Sequence, residues 1–443
     1  MIARLRALWL SINASYWFFP ALFSLAAALL AFLTVWLDRH GAAEWIGQYE
    51  WLEPARPGGA SNILTVIAGS MIGVTSTVFS ITIAAVAYAS GNYGPRLLTN
   101  FMEDKGNQLS LATFISTFVY AVMILRVVRA EDEKPVRELF DAASSLPGFV
   151  PQLSLLVATI LMAISVAVLV YFLNHIPASI RINQVLQGIG ERLLHDIGER
   201  YPEDGCEREP QKPVSGMPVC ADQTGFVTII DFESLDDVAK EHHCVIALKI
   251  RTGDFVHPGM SLAEIKDATV NEELCRQLRD CFSVGSMRTA TQDLEFLFDE
   301  LVEIALRALS PGINDPFTAI SALQWMGAAT ASLAGRALDR GPESQDYDPA
   351  RVQVLDDDFA HFLRRGFGGA RASAAASFLA AQNFLACLAA AASSARSVER
   401  RREIHGEGDR LMAQARLDMH GPSLDELERR WQKFDRDLCA LGL

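Results

Sequence analysis

The sequence predicts an α-helical membrane domain of four transmembrane helices followed by a mixed α/β cytoplasmic domain, with a small β barrel-sandwich-like module leading into a helical bundle. Three observations predict it. Four apolar runs, each near the roughly 20 residues that cross a bilayer, lie before Asn174. Charged residues dominate after that point. From Thr224 the hydrophobic period shortens from helical to strand-like, then returns to helical. The expected division is residues 1–178 for the membrane domain and 179–223 for a helical extension and linker, then 224–270 for the β-rich module and 271–443 for the helical cytoplasmic domain.

The first span is Tyr16–Leu37, with Trp9, Tyr16, Trp17 and Phe18 at one end and Trp36 at the other, as an aromatic belt requires. Arg4 and Arg6 precede a run too long for a signal h-region and without a small-residue cleavage site, so a retained helix is expected. Asp38–Ala60 is a polar connection carrying Trp45, Tyr49 and Trp51.

The second span, Ser61–Ser90, is uncharged but not uniformly apolar. Ser70, Thr77, Ala84 and Gly91 recur every seven residues, with Gly69, Gly73, Ser76 and Ser80 beside them, which places small and hydroxyl side chains on one helical stripe. Two readings stay open. Small residues let another helix approach closely, or several copies surround a narrow, weakly polar pore lined by Thr65, Gly69, Ser70, Gly73, Ser76, Thr77, Ser80 and Ala84.

Gly91 to Pro95 stops that helix, and Pro95–Glu103 reads as a short amphipathic helix with Leu97, Leu98, Phe101 and Met102 on its apolar face. Gln108–Val128 is the third span, Glu131–Asp141 a charged connection and Phe149–Phe172 the fourth span. Lysine and arginine counts on the two sides nearly balance, so the positive-inside rule barely decides orientation. The seven cysteines, all in the second half and without a CxxC pair, suit free thiols in a reducing compartment. The expectation is therefore a multi-pass inner-membrane protein with both termini cytoplasmic.

In the second half, Ser179–Glu199 is a helical continuation and Tyr201–Gln223 a linker rich in Pro, Gly and charge. Gly225–Asp231, Cys244–Arg251 and Ser261–Ile265 read as strands. Between the last two, Gly253-Asp-Phe-Val-His-Pro-Gly259 resembles the hairpin of biotinyl/lipoyl-like modules, without a counterpart of their cofactor-bearing lysine. Helices follow at Ala290–Leu309, Phe317–Leu333, Phe359–Gly366, Ala370–Ala395 and Asp425–Leu441, with a polar loop over Gly335–Asp358. Ala372–Ala395 is uncharged, yet alanine partitions weakly into lipid and Ser373, Ser377, Gln382 and Asn383 dilute it further, so it reads as a packed soluble helix.

The net charge of -14 and pI near 5.2 argue against nucleic acid as a partner. Ser310-Pro-Gly-Ile-Asn-Asp-Pro316 is chiefly helix punctuation: Pro311 and Gly312 stop one helix, Asp315 caps the next and Pro316 takes its first position. Its functional alternative gathers Asp293, Glu300, Asn314 and Asp315 into an oxygen site for a hard cation or small ligand. No HExxH, GxSxG, Walker lysine loop or helix-opening GxGxxG occurs, so neither catalysis nor a cofactor is expected.

Ser15-Tyr-Trp-Phe-Phe-Pro20, Phe79-Ser-Ile81, Gly94-Pro-Arg-Leu-Leu98, Asn107-Gln108, Thr117-Phe-Val-Tyr120, Arg288-Thr289, Gln292-Asp293 and Ala308-Leu-Ser-Pro-Gly-Ile-Asn-Asp-Pro-Phe-Thr-Ala319 occur in this order. Together they resemble a bacterial family of predicted membrane proteins catalogued as domain of unknown function twenty-two fifty-four. The resemblance covers nearly the whole chain and implies an inner-membrane protein with a four-span region and a cytoplasmic domain. It implies no activity and no catalytic residue. The leading expectation is a homo-oligomeric ion channel with the second span lining the path and the cytoplasmic domain assembling or gating it. The alternatives are a membrane-anchored sensor or scaffold whose cytoplasmic domain binds a ligand or partner, or an enzyme without a nameable nucleophile.

Overall fold

The computed structural model describes residues 15–40, 56–94, 104–129, 149–201, 203, 216–267, 271–338, 347–355 and 358–443. The amphipathic Pro95–Glu103 segment, the aromatics Trp45, Tyr49 and Trp51 and the charged connection Glu131–Asp141 lie outside the described residues. Two compact units divide the chain, one holding the four apolar helices and the other beginning at Arg181.

The first unit comprises α1 (Phe18–Arg39), α2 (Pro57–Tyr93), α3 (Lys105–Leu125) and α4 (Gln152–Ser179). These are the four helices, among the described residues, long and apolar enough to cross a membrane. α2 has 37 residues and at about 1.5 Å per residue rises well beyond the ~30 Å hydrocarbon core. Their packing uses small and hydroxyl residues. α1 buries Ala27, Ala31 and Thr34, and the Thr34 hydroxyl meets that of Tyr120 on α3 at 2.9 Å. Thr117 of α3 meets Ser165 of α4 at 2.9 Å. α4 starts after Pro151, whose side chain offers no capping oxygen. Asp38, at the end of α1, does this instead: its carboxylate accepts from Leu153 N and Ser154 N, both at 2.9 Å, and from Ser154 Oγ at 2.7 Å. A cap borrowed from another helix ties the two ends together.

The second unit opens with α5 (Ile182–Arg200), which buries Leu186, Ile189, Leu193 and Ile197. Its Gly190 lies against the Trp325 indole so closely that a Cβ there would fall 2.2 Å from the ring. The β part interleaves β1 (Met217–Cys220), β2 (Gly225–Ile230), α6 (Phe232–Glu241), β3 (Val245–Leu248), β4 (Phe255–Val256), β5 (Ser261–Lys266), α7 (Glu272–Asp280) and β6 (Phe282–Gly285). The helical part has α8 (Leu294–Ala308), α9 (Pro316–Gly335), α10 (Phe359–Leu363), α11 (Gly369–Ala375), α12 (Phe378–Ser394), α13 (Val398–Asp418) and α14 (Pro422–Ala440), with β7 (Val352–Gln353) between α9 and α10.

One sheet has the order β1-β5-β3-β7 and the other β4-β2-β6. β7 is parallel to β3 and every other pairing is antiparallel. The predicted hairpin is present: Gly253 and Gly259 both adopt φ of 92°, open to glycine and strained for other residues. The likeness to a biotinyl/lipoyl-like module rests on that hairpin, because α6 and α7 interrupt the strands and a distant β7 completes the first sheet.

The structure corrects the sequence reading in several places. The stretch read as the Tyr201–Gln223 linker contains β1, and the Gly335–Asp358 loop contains β7, each too short for a period to register. Strands therefore occupy Met217–Gly285 and Val352–Gln353, a wider territory than 224–270. Ala370–Ala395 is two helices, broken between Ala375 and Phe378. α12 has 17 residues and is short for a span. A turn of π-helix, Arg364–Gly368, joins α10 to α11.

Candidate functional site

Burial around α2 has a clear period. Ala60, Leu64, Ile67, Met71, Thr75, Val78, Thr82, Ala85 and Ala89 are buried against the unit's own core. Thr65, Gly69, Ser70, Gly73, Ser76, Thr77, Ser80 and Ala84, the eight positions predicted to line a path, are all exposed in this chain. A Cβ added at Gly69 or Gly73 would meet nothing within 4 Å. These residues are therefore not small because a neighbouring helix of the same chain presses on them. Thr65 donates to Ser61 O at 2.7 Å, Thr77 to Gly73 O at 3.1 Å and Ser80 to Ser76 O at 2.9 Å. Such back-bonding satisfies a hydroxyl donor without water, so the stripe tolerates a dry environment. Val66, Ile72, Phe79 and Ile83 share the exposed surface.

The carboxylates proposed for a cation site are set apart. Asp293 caps the start of α8, its side chain accepting from Phe296 N at 3.0 Å. Asn314 and Asp315 follow the end of that 15-residue helix, roughly 22 Å away at 1.5 Å per residue. Asp315 caps α9 as expected, taking Phe317 N at 3.1 Å, Thr318 N at 3.2 Å and the Thr318 hydroxyl at 2.6 Å, and that hydroxyl bond holds its carboxyl below the usual range. Glu300 is buried midway along α8. Among the described residues no group of three or more His, Cys, Asp or Glu side chains is placed to hold a metal ion.

Asp293 belongs to a different arrangement, which sequence reasoning missed. Arg288 reaches Asp293 at 2.6 Å and Asp299 at 2.7 Å. Arg365, in the π-helical turn, grips both oxygens of Asp299, Oδ2 (which it shares with Arg288) at 2.7 Å and Oδ1 at 2.8 Å, and reaches Glu295 at 2.8 Å, while His361 adds a contact to Glu295 at 2.8 Å. Burial pushes the Asp293 carboxyl up despite Arg288. Gly253 sits so close that a Cβ would fall 2.1 Å from Asp293 Oδ2. Gln292, at φ 61°, donates to Ile230 O at 3.2 Å and accepts from Ile230 N at 3.0 Å, and so imitates a strand neighbour. The network thus joins the hairpin, β2, α8 and the π-helical turn. Beside it is a cavity of about 50 Å³ lined by Arg200, Thr252, Gln292, Asp293 and Phe362 among others. That is room for a few waters and far below the roughly 300 Å³ of an ordinary ligand pocket. Only Arg288 and the acids lie close together in sequence; Arg365 comes from 66 residues beyond Asp299, with no local signal.

Burial pushes the Cys281 and Cys387 thiols up to about 12.

No solved structure matches this chain. Uncharacterized proteins of Mycobacterium bovis and of Mycobacterium tuberculosis strain H37Rv are each 30% identical to it over 293 residues, covering 64% of this chain and 54% of theirs. The chain spans about half the length of the curated relatives it matches. The family model described as "Predicted membrane protein (DUF2254)" matches residues 13–390, most of the chain and both of its units. With four apolar helices of spanning length and a match of that extent, this chain belongs to the DUF2254 family of predicted membrane proteins.

Proposed function

We propose that the protein is a homo-oligomeric channel or pore of the inner membrane, with α2 lining the path and the second unit, on the cytoplasmic side, assembling or gating it. One observation carries this reading: the eight small and hydroxyl positions of α2 are turned away from the chain's own core. A helix that needed only lipid on that side would gain contact area from larger apolar residues, as α1 has in Leu25, Leu29 and Phe32. A stripe of Gly, Ser and Thr suits close approach by a second copy, and a ring of copies leaves hydroxyls and backbone carbonyls along its axis.

The back-bonded hydroxyls favour a second reading, in which the stripe is a dry pairing face and the spans anchor a sensor or scaffold. Single-particle imaging of the detergent-solubilised protein separates the two. Three or more copies around an open axial path faced by Ser70, Ser76, Thr77 and Ser80 is the expected result, and Ser76→Val is then expected to reduce ion flux in reconstituted vesicles. A dimer with those residues packed helix to helix supports the second reading. A monomer, or a ring whose axis is filled by lipid, overturns the channel.

A further inference from the structure

At one end of the first unit, side chains from all four apolar helices and their flanks converge. Tyr16 precedes α1, Thr82 lies on α2, Asp104 and Asn107 begin α3, and His175 ends α4. Asp104 caps α3: Oδ1 accepts from Gly106 N at 2.8 Å, and Oδ2 accepts from Asn107 Nδ2 at 3.3 Å. His175 Nε2 lies 2.7 Å from the same Oδ2, and Tyr171 Oη lies 3.3 Å from His175 Nδ1. Asp104 Oδ2 is thus shared between the Asn107 amide and the His175 ring, whose other nitrogen faces the Tyr171 hydroxyl. Gly106 permits the arrangement, because a Cβ there would fall 2.7 Å from both His175 Nε2 and Tyr171 Oη.

Two polar atoms in this cluster are left over. Asn107 is 3% exposed, and with its Nδ2 committed to Asp104, its buried Oδ1 has no hydrogen-bond partner. The Tyr16 hydroxyl is likewise buried and unpartnered, although it faces the Thr82 and Asn107 side chains with Asp104 as the charge acting on it. Thr82 spends its proton on Val78 O at 2.9 Å, so only its lone pairs remain. An orphaned amide oxygen, a phenol oxygen and a hydroxyl lone pair beside one carboxylate make an oxygen-rich environment. Lys105, next to Asp104 in sequence, has its ammonium 3.4 Å from Gln108 Oε1 and 4.7 Å from the centre of the Phe19 ring.

We propose that Asn107 Oδ1, Tyr16 Oη and Thr82 Oγ1 form, with the charge of Asp104, a binding site for a small monovalent cation. The neutral oxygens replace part of the ion's hydration shell, and the single carboxylate beside them suits a low charge. Divalent ions need more anionic ligands than this site supplies. In a membrane unit, unsatisfied buried polar groups and an ionised side chain are costly and call for such a partner. The site stands independently of whether α2 lines a pore.

Thermal unfolding of the purified full-length protein in detergent tests it, in sodium, potassium and choline chloride at equal concentration. A ligand that binds only the folded state raises the midpoint with its concentration. The expected result is a saturable rise of roughly 2–4 °C in one alkali salt over choline, abolished in Tyr16→Phe and in Asn107→Leu. Equal midpoints in all three salts would mean that water alone bridges these atoms and would overturn the site. A rise that persists unchanged in Tyr16→Phe would place the cation elsewhere and overturn it too. The wild-type salt comparison alone decides if Asn107→Leu fails to fold.

Discussion

The two units are built in opposite senses, and α1 and α8 show it most plainly. α1 exposes Leu25 by 61%, Leu29 by 62% and Phe32 by 66%, while it buries Ala27, Ala31 and Thr34. α8 buries Leu294, Leu297, Phe298 and Leu301 to within 3%. In water, large apolar side chains gain by leaving the solvent, so they form the core. In a bilayer they gain nothing by turning inward, and helices meet instead through small residues and shared hydroxyls such as Thr34 with Tyr120. Charge follows the same division. Asp38 turns inward on backbone donors of α4, whereas in the second unit guanidinium and carboxylate groups form a ladder from Arg288 to Arg365.

The largest effect that would sharpen this contrast is in a core. Phe298→Ala is expected to cost about 3–5 kcal/mol of the second unit's stability, because the ring is fully buried and leaves a cavity. Phe32→Ala, on the lipid side of α1, is expected to cost far less. Denaturant or thermal unfolding of the solubilised variants compares them, and similar losses at both positions would break the contrast.

A charge reverses the ranking. Leu29→Arg places a guanidinium on the outward face of a span, at about 2.5–3.5 kcal/mol for a central position. The same change at Leu417 on α13, itself 73% exposed, is expected within about 0.5 kcal/mol. The fraction of full-length protein recovered in the membrane is the measure, and it should fall for Leu29→Arg alone.

The smallest effect is a pH dependence confined to the second unit. Burial pushes the Asp236 carboxyl up, but hydrogen bonds from Arg351 and Lys240, both at 2.7 Å, overcome it and bring it down to about 2. A folded value below the unfolded one, about 3.9, means that the stabilisation is complete above that pH and disappears as pH falls toward 2. Asp236→Asn should therefore lose stability at neutral pH and show a flatter decline between about pH 4 and 2. An unchanged acid limb in that variant would show that Asp236 contributes nothing to it.

Much of the architecture was readable beforehand where a signal is local. Each apolar span overlaps its helix, β2 and β5 begin where alternation begins, and Asp315 caps α9 as its position before Pro316 implied. Short elements escaped: β1, β4, β6 and β7 have four residues or fewer, too few for a period to emerge, whereas the equally short β3 showed because it lies inside the longer apolar run Cys244–Arg251. The amphipathic α6 and α7 escaped as well, although Asp231 and Asn271 stand as caps before them. Asp293 and Glu300 were expected to share an oxygen site with Asn314 and Asp315. The arginines that claim Asp293 and Asp299 come from a loop and from a π-helical turn, and no spacing rule reaches that far.

Length, hydropathy and the small residues of α2 were thus settled by the order of residues alone, because a span's cost in lipid and a stripe's position on a helix depend on nothing beyond the helix itself. Which way that stripe faces was decided only when α2 packed its other side into the core of its unit. The cap that Asp38 lends to α4, the return of β7 to β3 and the meeting of Tyr16, Thr82 and Asn107 were decided in the same way. Each joins groups far apart along the chain, and only the closing of the fold brings such groups within hydrogen-bond reach.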